Sequence, residues 1–164
     1  MISIRKGVFE TNSSSTHSIC VSKDLPTSIS GKIRLTTGEY GWEEDCVSLP
    51  NYFFTAVVYN NRLDEFKKIL DDNNIEYEFN ISEDSYIDHG YELDDFITEA
   101  FNDPDLLVRI LFGEGDVYTG NDNGSEYTCM CYSARPDIYD YDSQDYISNP
   151  NHHPEKYDYY FKGN

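Results

Sequence analysis

The period of the apolar positions changes several times along this chain, and each change marks an element. Between Asn51 and Asn73, Phe54, Val57, Val58, Leu63, Phe66, Ile69 and Leu70 recur at largely helical spacing. Pro50 stands just before this stretch and Asn73–Asn74 at its end, which are helix start and stop signals. Asn60 and Asn61 offer a break that would make two helices of it. From Ile75 to Ile81 the pattern switches to strict alternation, the mark of a half-buried strand with its acids outward. Glu92 to Phe101 and Pro104 to Phe112 read as two short helices, with Asp103 before Pro104 as the cap of the second.

The flanks read differently. Ile2 to Val21 alternates weakly and enters a polar tract, Thr11 to Ser18, whose hydroxyls and Asn predict a loop satisfying its own backbone. Gly31 to Thr37 predicts a strand, Gly38 a turn, Tyr40 to Trp42 a short element, and Asp45 to Leu49 another strand. Asp116 to Thr119 and Glu126 to Tyr132 predict a hairpin about a turn from Gly120 to Gly124. Residues 136–156 are Tyr- and Asp-rich and read as mostly irregular, and Tyr157 to Lys162 as a last strand. Strands at both ends with helices grouped between them predict an α+β fold, an antiparallel sheet with a central group of helices. At 164 residues a single domain, 1–164, is the expectation. A chain of about this length buries roughly 70% of its unfolded surface.

Charge alters the picture most. There are 31 Asp and Glu against 12 Lys and Arg, a formal net charge of −19. Between Lys68 and Arg135 the only Lys or Arg is Arg109, while acids recur throughout. Such a chain repels nucleic acid and anionic membrane and attracts basic proteins. Acid-rich chains poor in aromatics are disordered, but 15 Tyr and 9 Phe supply a core here. The alternatives are a solvated acidic face without a partner and a charge-driven contact with a basic, nucleic-acid-binding protein. Glu83, Asp84, Asp88, Asp94 and Asp95 are the candidate contacts, dense in acid and flanking short elements, with the tail tyrosines as further anchors.

Nothing approaches the roughly 20 apolar residues of a membrane span, and the first residues lack the apolar run of a signal peptide. A cytosolic protein is expected, and in a reducing compartment the four cysteines are not expected to form disulfides. Cys129 and Cys131 are two apart, so on a strand both thiols face one side. Cys20 and Cys46 lie in β-branched surroundings and supply two further ligands for a tetrahedral structural zinc. A C-x-C pair with two distant singles is less specific than paired C-x-x-C motifs, and buried thiols acting as small hydrophobes are the competing reading. His17, three residues before Cys20, is an alternative ligand, whereas His152–His153 reads as an exposed pair without a role.

A catalytic reading would draw on Ser13, Ser14, Ser15 and His17. No G-x-S-x-G, Walker or H-E-x-x-H motif supports it, and adjacent hydroxyls in a loop more often cap backbone. The expectation is a protein without enzymatic activity.

The block RKGVFETNSSSTHS, Arg5 to Ser18, resembles the opening of a widespread family of small phage and prophage proteins. The pieces GEYGW, from Gly38, and YFFTA, from Tyr52, are also similar to that family. Its pattern pairs an early cysteine, here Cys20, with a later C-x-C, here Cys129 and Cys131, which implies zinc. The chain looks like a type II-A anti-CRISPR protein, an inhibitor of Cas9. That resemblance implies a viral protein in the cytoplasm of the infected bacterial host, binding Cas9 or its guide-RNA complex and blocking target-DNA loading. Cas9 holds guide and target in a positively charged channel, which acidic surface would suit. The alternatives are an acidic DNA mimic or accessory phage protein aimed at another basic host protein.

Overall fold

The computed structural model describes residues 15–26, 31–41, 44–121, 137–140, 142–153 and 155–163. Strands and helices are mixed as an α+β fold, and a four-stranded antiparallel sheet in the order β10-β1-β7-β4 is its largest β element. These strands are β1 (Ser15–Ser22), β4 (Glu44–Val47), β7 (Gly115–Asn121) and β10 (Tyr157–Gly163). β1 pairs with β10 on one side, Ile19 opposite Phe161, and with β7 on the other, Ile19 opposite Val117.

The polar tract expected to be a loop is therefore half strand, since Ser15 to Ser18 belong to β1. Local propensity is overridden because neighbours on both sides take up the backbone donors and acceptors of β1. His17, Ser18, Ile19, Cys20 and Val21 are all buried, so both faces of the strand are covered. Where β7 begins, Gly115 leaves room for Leu49, whose side chain and the Cys20 carbonyl occupy the space a Cβ would need.

α1 (Leu49–Tyr59) is the central element, touching α2 (Leu63–Asp72), α3 (Asp94–Asn102), α4 (Pro104–Phe112) and β7. Pro50 sits in its first turn, where a missing N–H costs nothing. Leu49, Tyr52, Phe53, Phe54, Thr55, Ala56 and Val57 are all buried, so the helix is enclosed almost all round. It stops where the sequence indicates. Asn61 takes φ +57°, and the Arg62 N–H reaches back to the Val57 carbonyl at 2.9 Å. Asn74 does the same after α2, at φ +54°. Asn is one of the few side chains that tolerate this left-handed conformation. Asp103 caps α4 as expected, accepting from the N–H groups of Asp105 and Leu106.

Two small sheets are parallel rather than antiparallel. β2 (Ile33–Thr36) pairs with β5 (Tyr77–Asn80), and β3 (Glu39–Tyr40) with β6 (Tyr86–Ile87). The chain passes through α1 and α2 between β2 and β5, and a helical crossover returns it in the same direction. β5 alternates as its sequence predicts, with Tyr77 and Phe79 half-buried and Glu78 and Asn80 exposed.

Residues read as irregular contain a hairpin, β8 (Asp137–Asp140) with β9 (Asp145–Ser148). Its turn is held by the Asp140 carboxylate, which accepts from the Ser143 hydroxyl at 2.7 Å. The second strand of the predicted 116–132 hairpin, with Cys129 and Cys131, lies outside the described residues. Among the described residues, no helix is long and apolar enough to cross a membrane.

Candidate functional site

Of the candidate zinc ligands, the described strands hold Cys20 and Cys46. Cys20 is buried on β1. Cys46 lies on β4, with β7 between the two strands. Two strand spacings put these backbones about 10 Å apart, well beyond the Cα separation a disulfide spans. His17 and Cys20 do not share a face of β1. The register through residues 17 to 20 is regular, so residues three apart face opposite sides of the strand. Among the described residues no three His, Cys, Asp or Glu side chains are grouped to hold a metal ion.

His17 is engaged elsewhere. Its Nδ1 lies 2.6 Å from the hydroxyl of Tyr52 on α1, in a wholly buried pair. A phenol both donates and accepts, so either neutral tautomer satisfies the bond. Burial pushes the His17 pKa below its ordinary value, opposed by the Asp88 backbone and by the charges of Asp88 and Glu92. Burial, and then Tyr40, lift Tyr52 well above the usual phenol range. Both groups are neutral near pH 7. The hydroxyl bonded to His17 is thus that of a tyrosine of α1. Ser13 and Ser14 lie outside the described residues.

Two buried side-chain polar atoms among the described residues have no hydrogen-bond partner, His17 Nε2 and His89 Nδ1. Asp88, His89 and Glu92 are the titratable groups acting on His17, which places both orphans beside the segment from β6 into the 3-10 turn Gly90–Leu93. That segment is fixed from three directions. The Asp88 N–H donates to the Tyr40 carbonyl at 2.9 Å. Asn60, at the end of α1, donates its amide to the Gly90 carbonyl at 2.8 Å. The Tyr59 ring lies against Gly90, where an added Cβ would come within 2.9 Å of it.

Aromatic rings collect here on the surface. Tyr59 and Tyr86 meet edge to face at 6.2 Å, and His89 and Tyr91 lie 6.0 Å apart. Tyr86 donates its hydroxyl to Asp88 Oδ1 at 2.9 Å. The Tyr91 phenol is held above its ordinary pKa first by the adjacent Glu92 carboxylate, with lesser effects from burial, Tyr59 and Asp88. Tyr91 is 62% exposed and Tyr59 39%. The sequence marked Asp88 alone of this group, because tyrosines in separate elements carry no signal that they will converge.

The other predicted contacts divide. Glu83, Asp84 and Asp95 are exposed and form no ion pair with a described residue. Asp94 is also exposed, but its Oδ1 lies 3.1 Å from Arg62 Nη1. Arg62 further donates to Thr98 Oγ1 at 2.7 Å and lies 4.9 Å over the Phe101 ring. Asp94 therefore helps to fasten α3 to α2. In the tail, His153 is exposed and lies 2.8 Å from Glu155.

No family model, curated protein or solved structure matches this chain.

Proposed function

We propose that this protein is a binding module for a basic, nucleic-acid-binding protein, and that it acts by covering the surface its partner would offer to nucleic acid. The observation carrying this reading is the exposure of Glu83, Asp84 and Asp95 without counter-ions among the described residues. They lie in a stretch with no Lys or Arg between Lys68 and Arg109. Carboxylates held on a folded surface attract a cationic face at long range and compete with phosphate for it. The N-terminal resemblance points to the Cas9–guide complex as the partner and to prevention of target-DNA loading as the effect.

The test is binding and cleavage. The purified protein should retain Cas9–guide complex in a salt-sensitive manner and suppress target cleavage. The triple variant Glu83→Lys, Asp84→Lys, Asp95→Lys should release both effects while melting like wild type. Undiminished cleavage at saturating protein rejects Cas9 as the target. Unchanged inhibition by the variant moves the interface off this surface.

A structural zinc belongs to the same reading and rests on the C-x-C pair, Cys129 and Cys131, with Cys20 and Cys46 as further ligands. Elemental analysis should find about one zinc per chain, since a structural site is four-coordinate. Cys129→Ser and Cys131→Ser should each lower that content and the melting temperature; metal content unaffected by either would dismiss the assignment.

A further inference from the structure

The hairpin of β8 and β9 is built against its own stability. Among the described elements, its two strands pack chiefly on each other. Every residue of β9 is exposed, and successive strand residues point to opposite faces, so both faces of the strand are open. Tyr146 is 59% exposed and Ile147 42%, one on each face. A two-stranded hairpin without a covered apolar face is marginal in water. At the turn Asp140 stands directly opposite Asp145, and like charges so placed destabilise the pairing. Gln144, beside them, takes the left-handed conformation at φ +55°, which Gly or Asn adopts more readily.

The open faces and the facing charges would be relieved by one kind of occupant. Asp137, Asp140, Asp142 and Asp145 form no ion pair with a Lys or Arg among the described residues. The sequence has no Lys or Arg between Arg135 and Lys156. A cationic surface would offset the facing carboxylates while it covered the apolar side chains. A second copy of this chain, with its net charge of −19, would add to the repulsion. Because Tyr146 and Ile147 lie on opposite faces, a flat surface covers only one of them, whereas a groove covers both. Grooves that hold single-stranded nucleic acid combine positive charge with places for rings to stack. The hairpin offers such a groove both carboxylates and an exposed phenol ring.

We propose that the β8–β9 hairpin inserts into a cationic nucleic-acid groove of the basic partner. This rests on the reading of the protein as a module for such partners. It adds to Glu83, Asp84 and Asp95 a second contact, one that is gripped from two sides rather than attracted at a distance.

Hydrogen exchange of the segment 145–148, followed by mass spectrometry with and without the Cas9–guide complex, tests the insertion. The complex should slow exchange there about tenfold or more. Tyr146→Ala combined with Ile147→Ala should weaken binding about tenfold and melt like wild type, since both side chains are exposed. If that variant loses the hairpin, protection in wild type still decides. Retention of the complex with no added protection at 145–148 refutes the hairpin site and leaves the wider reading standing. Protection that rises with the concentration of this protein alone means that a second copy covers the hairpin, and also overturns the site. If wild type does not retain the complex, the site and the wider reading fall together.

Discussion

Around Phe53 and Phe66 the rings are phenylalanines, with Tyr77 stacked on Phe79 at their edge. Phe53 meets Phe66 and Phe96 edge to face at 5.9 and 5.5 Å, and Phe66 stacks almost parallel on Phe79 and Phe101. Elsewhere about α1 they are tyrosines: Tyr52 against Tyr40 at 5.1 Å, Tyr59 against Tyr86, and Tyr91 beside His89. Ring size is nearly equal in the two regions, and the hydroxyl makes the difference. Phenylalanines ask only to be kept from water, so Phe53, Phe54, Phe66 and Phe96 are fully buried, with Phe79 and Phe101 at their margin. Each tyrosine hydroxyl needs a partner, so its region admits His17, Asp88 and Glu92 and opens to the surface. One region supplies stability, and the other carries the polar groups through which recognition can act.

That contrast is broken most directly at Phe66, fully buried and in contact with four other phenylalanine rings. Phe66→Ala should cost about 3–5 kcal/mol in urea unfolding, equally at neutral and mildly acidic pH. A loss under about 1 kcal/mol, where tolerant surface changes fall, would mean that the phenylalanine region does not bear the fold.

A smaller and pH-dependent effect belongs to the tyrosine side. Burial depresses the folded-state pKa of His17, against the pull of Asp88 and Glu92 and with His89 as a like neighbour. The unfolded chain therefore takes up the proton first as pH falls. The His17 contribution is complete above its unfolded pKa of about 6.5 and declines below it, until the folded-state pKa is passed. Relative to His17→Asn, wild type should lose stability between pH 7.5 and 5.5 by up to about 1.4 kcal/mol per pH unit. A difference constant across that range would show that His17 is not held neutral by burial.

Local signals carried much of this architecture. The break at Asn60–Asn61, the alternation of β5 and the Asp103 cap are short-range effects, set by backbone preferences within a few residues. What depends on distant neighbours was not readable in this way. Ser15 to Ser18 favour a loop by composition, and pairing with β7, joined from His17 onward by β10, makes them strand. The parallel pairing of β2 with β5 follows from the path through two helices. Of the candidate contacts, Asp88 joins the tyrosine cluster and Asp94 is tied to Arg62. Charge density alone could not separate them, because it does not report which acids have cations nearby.

The pairing of β1 with β10 has a consequence in time. Ser18 lies opposite Lys162, so almost the whole described chain intervenes between two neighbouring strands. The hydrogen bonds within α1, α2, α3 and α4 join residues close in sequence. Those of the sheet do not: until β10 arrives, one side of β1 presents unpaired N–H and C=O groups, a template for association with other chains. Closing β1 onto β10 therefore carries the largest loop-closure entropy of the pairings in this sheet.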